Sequence, residues 1–176
     1  MIRRILEYPD PVLRRIADPI TGMTSDLKSL VEDMFSTMHE NLGVGLAAPQ
    51  VGESVRLVVI ELPPNENDPQ AGVRYVFVNP KLGVLGERTD MTEGCLSLPG
   101  FRAEVNRAES ASVTFTSLRG ESECLEATGF LAQAIQHELD HLDGVLFFDH
   151  LESLDELEQI PPEGLHWAAA EEDEPV

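Results

Sequence analysis

Cationic side chains are scarce in this chain. Twelve Lys and Arg stand against 32 Asp and Glu, a formal charge of -20, and Arg119 is the last of the twelve. Residues 120–176 then hold 16 of the carboxylates and no Lys or Arg. Such a surface repels polyanions, which argues against nucleic acid or an anionic membrane as the main partner. Cysteine is rare too, and Cys95 and Cys124 are too few for a disulfide framework. No run of 18 apolar residues exists, so no transmembrane helix is expected. Glu7, Pro9 and Asp10 interrupt the stretch where a secretion signal would need its apolar centre. A reducing, cytoplasmic setting is the expectation.

What is present suits a single globular domain. At 176 residues with 42% hydrophobic and 25% charged side chains, one core can bury roughly 70% of the unfolded surface. Asp10-Pro11 reads as the start of a short capped helix. Thr24 or Ser25 can cap a longer one, in which Leu27, Leu30, Val31, Met34, Phe35, Met38 and Leu42 recur at helical steps and Gly43 supplies the stop. Val55 to Glu61, Val73 to Asn79 and Ser112 to Thr116 read as strands, and Pro63 to Gly72 as a surface loop. Phe130 to Leu142 is apolar on two faces, the mark of a buried helix that Asp143-Gly144 ends. The expected class is α+β, with mixed or antiparallel sheets packed around that helix. Residues 1–151 are expected to form one catalytic domain, followed by an acidic tail, 152–176, whose last residues Glu171 to Val176 fray.

The buried helix carries His137-Glu138-Leu139-Asp140-His141, an H-E-x-x-H pattern. Four residues of helix bring both imidazoles to one face, about 6 Å apart at Cβ, where two nitrogens can grip one ion. Glu138 lies about 100° further around the axis, placed to act as a general base without becoming a ligand. Two imidazoles and a carboxylate on an otherwise hydrophobic helix are costly without partners, and a metal ion is the simplest partner. A catalytic site needs a third protein ligand and one open position. Phe147 stands where a metzincin protease would place its third histidine, and His150 comes one turn too late. Glu158 and Glu163 lie where a thermolysin-like enzyme would place a glutamate, but in an acidic, Pro-broken stretch. Cys95 is the better candidate, in Glu93-Gly94-Cys95-Leu96-Ser97-Leu98-Pro99-Gly100, where Gly94 frees the backbone and Pro99 stops regular pairing. Cys124 reads as a small buried hydrophobe.

Three segments together resemble the signature motifs of the peptide deformylases, in the same order: Gly43-Val44-Gly45-Leu46-Ala47-Ala48-Pro49-Gln50, Glu93-Gly94-Cys95-Leu96-Ser97 and Gln136-His137-Glu138-Leu139-Asp140-His141. The resemblance runs from about Ile2 through Leu151. It implies that Cys95, His137 and His141 bind a metal, with water as the fourth ligand and Glu138 as the acid-base residue. It further implies that the Gln50 amide and the Leu96 backbone N–H form an oxyanion hole, and that Val44 and Gly45 pair with the substrate backbone. The implied reaction is hydrolysis of the N-terminal formyl group of newly made formyl-Met peptides.

Helical spacing from His137 places Phe130, Gln133 and Ala134 along the pocket, with Val44 and Leu96. An amide at Gln133 departs from the aliphatic wall that a methionine pocket calls for. Asp140 could orient a ligand imidazole or pair with a base on the helix surface. Arg102 resembles a family arginine near the pocket and is expected to pair with Glu93, or else to be an exposed strand-edge charge. One divalent ion is expected; the donor set accepts Zn, Fe, Co or Ni, and the resemblance suggests Fe(II) in cells. Contact with the ribosome is expected to be weak and transient, because residues 151–176 hold nine carboxylates and no Lys or Arg. Two rival chemistries stay open: a peptidase using Glu158 or Glu163 as third ligand, and a cysteine hydrolase with Cys95 as nucleophile.

Overall fold

A computed structural model describes residues 1–161. Glu163 and the segment Glu171 to Val176, expected to fray, lie outside the described residues. The long helix forms as α1, Ser25–Glu40, with the Thr24 hydroxyl accepting from the Leu27 N–H at 3.1 Å. Leu27, Leu30, Val31, Met34, Phe35 and Met38 are buried in one cluster with Leu57, Val59 and Val78. The helix stops differently from the expectation. Leu42, not Gly43, takes the left-handed conformation, at φ 55°, and the Gly43 N–H closes the end on Met38 O at 2.9 Å. A Cβ at Gly43 would lie 2.7 Å from Leu96 Cδ1, so a larger residue there would have to push the end of that side chain aside.

The strands are β1 Gly45–Ala47, β2 Leu57–Glu61, β3 Arg74–Leu85, β4 Arg88–Gly94, β5 Phe101–Ala108, β6 Ser110–Thr116, β7 Ser122–Thr128 and β8 Glu158–Gln159. They form an antiparallel five-stranded sheet, β1-β2-β3-β6-β7, and a three-stranded sheet, β4-β5-β8. The protein is therefore α+β with two antiparallel sheets. Cys124, expected to be buried, is exposed on β7, where alternation turns Cys124 outward and leaves Ala127 to the core.

The central helix α2, Gly129–Leu142, is buried continuously from Leu131 to Leu139. Its apolar side packs Leu131, Ile135, Leu139 and Leu142 against Val58, Ile60, Phe77 and Val113. Its other side is tied to the smaller sheet by Gln136, whose amide exchanges two hydrogen bonds with the Ala108 backbone, at 2.9 and 3.0 Å. Gly144 ends the helix at φ 71°, and a Cβ there would lie 2.6 Å from Arg14 O, so no other residue fits without moving backbone. The metal-binding motif is thus clamped between both sheets. Part of the segment read as an acidic tail also belongs to this framework, since β8 pairs with β5 through Phe101↔Gln159 and Arg102↔Glu158.

Candidate metal centre

Three elements meet at the site. α2 supplies His137 and His141, whose ring centroids are 5.2 Å apart. Cys95 follows the end of β4, where the Ser97 N–H donates to its sulfur at 3.4 Å and the Leu98 N–H to its carbonyl at 3.0 Å. The third element is the short helix Ala48–Val51, which carries Gln50. One ligand atom from each of Cys95, His137 and His141 lies within 4.8 Å of the others, and Cys95 Sγ is 3.3 Å from His141 Nε2. Gln50 is set by its own backbone neighbour: Ala47 N–H donates to Gln50 Oε1 at 2.9 Å, which turns Nε2 toward Ser97 Oγ at 3.2 Å and Cys95 Sγ at 3.6 Å.

Glu138 is 2% exposed, and its Oε2 has no hydrogen-bond partner. Burial raises its pKa to about 7, so the carboxyl can both take and return a proton near neutrality. Gly45 makes room for it. A Cβ at that position would lie 2.6 Å from Glu138 Oε1 and 2.9 Å from its Cγ. Gly45→Ala is therefore expected to displace the carboxylate and cut turnover at least tenfold while metal content, measured by elemental analysis, is unchanged; equal activity would show that the carboxylate has slack.

A charged chain lies behind His137. Its Nδ1 meets Glu93 Oε1 at 2.6 Å, and both Glu93 oxygens accept from Arg107, at 2.8 and 2.9 Å. Arg107 continues to Asp140 Oδ2 at 2.7 Å, which also meets His150 Nε2 at 2.7 Å. Glu93 is fully buried and Arg107 is 4% exposed in the side chain. Burial alone would raise the Glu93 pKa, but Arg107 and His137 hold it down at about 2. Asp140 thus pairs with Arg107 and His150 rather than with a ligand imidazole, which is the helix-surface alternative in a partly buried form. The expected pairing of Arg102 with Glu93 is replaced: the guanidinium on Glu93 belongs to Arg107, five residues on, while Arg102 meets Glu158 at 2.9 and 3.2 Å. The register explains this. Arg102 faces Gly94 and Glu158 across the sheet, whereas Arg107 shares the buried face of β5 with Ala103 and Val105.

The two imidazoles differ. Burial, with the neighbouring His137, lowers His141 to about 3, so it is neutral, and its Nδ1 is buried without a partner. Burial would lower His137 as well, but Cys95 and Glu93 raise it well above the ordinary range. One sulfur, two imidazole nitrogens and a stranded buried carboxylate fit a divalent cation with an open position.

A cavity of about 310 Å³ opens from Gln50, Cys95, His137 and Glu138. Gly45 and Leu96 line it too. Val44, Phe130, Gln133 and Ala134, expected along the pocket, are not among the residues that line this cavity: the first and the last two are buried, and Phe130 packs partly buried against the main core. The polarity of Gln133 is absorbed locally, since its Nε2 donates to Thr92 O at 2.9 Å. Glu158, a rival third ligand, is 62% exposed and engaged with Arg102. Sequence reasoning did not single out Arg107 or assign His150 its place.

The family model described as polypeptide deformylase matches residues 2–157. The chain belongs to that family. A peptide deformylase from Acidobacterium capsulatum is 46% identical over 154 residues, covering 88% of this chain and 89% of that one. Among solved structures, a peptide deformylase from Legionella pneumophila is 40% identical with a TM-score of 0.81, covering 89% of each chain. A class I type b peptide deformylase from Acinetobacter baumannii, solved with Met-Ala-Ser bound, is 36% identical with a TM-score of 0.80, covering 86% of this chain and 99% of that one.

Proposed function

We infer that the chain removes the formyl group from N-formyl-Met peptides, with the metal held by Cys95, His137 and His141. The observation that carries this reading is the meeting of those three donors beside a buried, unpartnered Glu138 in a chain of this family. A divalent ion bound there supplies Lewis acidity and lowers the pKa of water. Glu138 accepts the proton of the water that adds to the formyl carbon. It then delivers that proton to the nitrogen as the C–N bond breaks, giving formate and a peptide with a free α-amine. Gln50 Nε2 and the Leu96 backbone N–H donate to the oxygen on which charge develops. Val44 and Gly45 pair with the peptide backbone beside β1, and Leu96 lines the cavity that receives the methionine side chain. Glu93 and Arg107 hold the His137 ring in one orientation.

The resident ion in this reading is Fe(II), and Zn, Ni or Co occupy the same donors. The setting is the cytoplasm, where formylated peptides are made; no described helix is long and apolar enough to cross a membrane. Ribosome contact is transient, because a protein with a formal charge of -20 gains nothing from long-range attraction to RNA. The test is formate release from formyl-Met-Ala-Ser by metal-loaded protein.

Metal uptake carries its own signature. Because Cys95 and Glu93 favour a protonated His137, and a ligand imidazole must be neutral, loading at neutral pH is expected to release about one proton or more per site. Affinity should fall as pH falls. Titration calorimetry in two buffers of different ionisation enthalpy reads this directly, and uptake without proton release would contradict it.

A further inference from the structure

The family match ends at residue 157, yet the cavity that contains Cys95, His137 and Glu138 is also lined by Ile160 and Pro161. Residues just past the matched region are therefore part of the wall of this cleft. The local sequence fixes their path. Ser153 and Glu156 cap a short turn reciprocally, with Ser153 N–H to Glu156 Oε1 at 3.0 Å and Asp155 N–H to Ser153 Oγ at 3.2 Å. Leu157 then packs on the cluster of Ala103, Val105 and Phe147, which Cys95 and Leu98 also join. β8 pairs with β5, and the Ile160 N–H donates to Gly100 O at 2.9 Å, where Gly100 sits at φ 84°. The Glu158 carboxylate takes two hydrogen bonds from Arg102. Backbone pairing, an apolar anchor and an ion pair together hold Ile160 and Pro161 at the cavity.

Resting on the deformylase reading, we propose that the strap Leu157–Pro161 is a specificity element for the residues that follow the formylated methionine, with Ile160 and Pro161 as an apolar wall facing one of the next two side chains. An apolar wall favours an apolar side chain and rejects an acidic one, which must give up water there without gaining a partner. Glu7, which is exposed, also lines the cavity, and its negative charge disfavours an acidic residue further.

A panel of formyl-Met peptides with Leu or Asp at the second or third position tests this, with kcat/KM read by formate release. The unmodified protein is expected to prefer Leu over Asp by about tenfold or more at one of these positions. Ile160→Lys is expected to shrink or invert that preference by at least tenfold at the same position. Pro161→Lys serves as the second variant, and a thermal melt establishes that each variant is folded. Folded variants whose Leu-to-Asp ratio stays within twofold of the parent's would overturn the proposal. Failure of the unmodified protein to release formate from any member of the panel would instead overturn the activity on which the proposal rests, and the proposal with it.

Discussion

Glu138→Ala is expected to lower turnover by at least a hundredfold while the protein still binds one metal ion per chain. The basis is the division of labour in the site. Cys95, His137 and His141 bring their ligand atoms within 4.8 Å of one another without Glu138, so removing the carboxylate leaves the ligand set intact. It does remove the buried group whose pKa of about 7 suits it to move a proton at neutral pH. General acid-base catalysis contributes about 10² to 10⁴ in rate, which sets the size of the loss. A second readout separates this from structural damage. Glu138 Oε2 is buried with no hydrogen-bond partner, an arrangement that costs stability and is kept for chemistry. The metal-free Glu138→Ala protein should therefore melt no lower than the parent. Retention of more than about a hundredth of the parent rate would remove Glu138 from its role.

The largest effect on stability is expected at Arg107. Arg107→Ala strands Glu93, whose side chain is fully buried, and breaking one side of a buried ion pair costs about 3 to 5 kcal/mol. The same reasoning predicts partial recovery when Glu93→Gln is added, because the uncompensated charge is then gone. Urea unfolding of the metal-free proteins measures both, and a single-variant loss under about 1 kcal/mol would contradict the assignment. The pH dependence follows from the sign of the shift. Glu93 is held at about 2, below its unfolded value of 4.5, so it contributes stability above that value. The contribution is lost as pH falls from the unfolded value toward about 2. Without Arg107 the carboxyl protonates at higher pH, and this acid-side dependence should weaken. In the double variant metal affinity should fall as well, since His137 Nδ1 then loses its charged acceptor, Glu93.

The parts of the site legible in the sequence are those whose chemistry is rare in their surroundings. Two histidines and a glutamate on an otherwise apolar helix ask for a partner, and Cys95 between Gly94 and Leu96 offers one. α1, α2 and the apolar strands at Leu57–Glu61 and Ser110–Thr116 were legible because a buried stripe or run marks them. β4, β5 and β7 were not, because each alternates exposed polar residues with few apolar ones, as in Arg88-Thr89-Asp90-Met91. Missing β5 hid Arg107. Read as a strand, Ala103-x-Val105-x-Arg107 puts an arginine on the buried face, where it must have an acidic partner. The role of Gly45 was hidden for a different reason. Its constraint is the volume of Glu138, 93 residues away in the chain, and no local pattern encodes that contact. β8 escaped because acidity and Pro161-Pro162 read as solvated chain, whereas its pairing depends on a free edge of β5.

The central claim is tested most directly by following both products from formyl-Met-Ala-Ser. Metal-loaded protein should release formate and a peptide bearing a free α-amine in a one-to-one ratio. The reaction should stop when a chelator removes the ion, return when the ion is restored, and fail in Cys95→Ala. Cleavage between residues with the formyl group still on the N-terminal fragment would make this a peptidase, and full activity after the metal is removed would make Cys95 a nucleophile rather than a ligand.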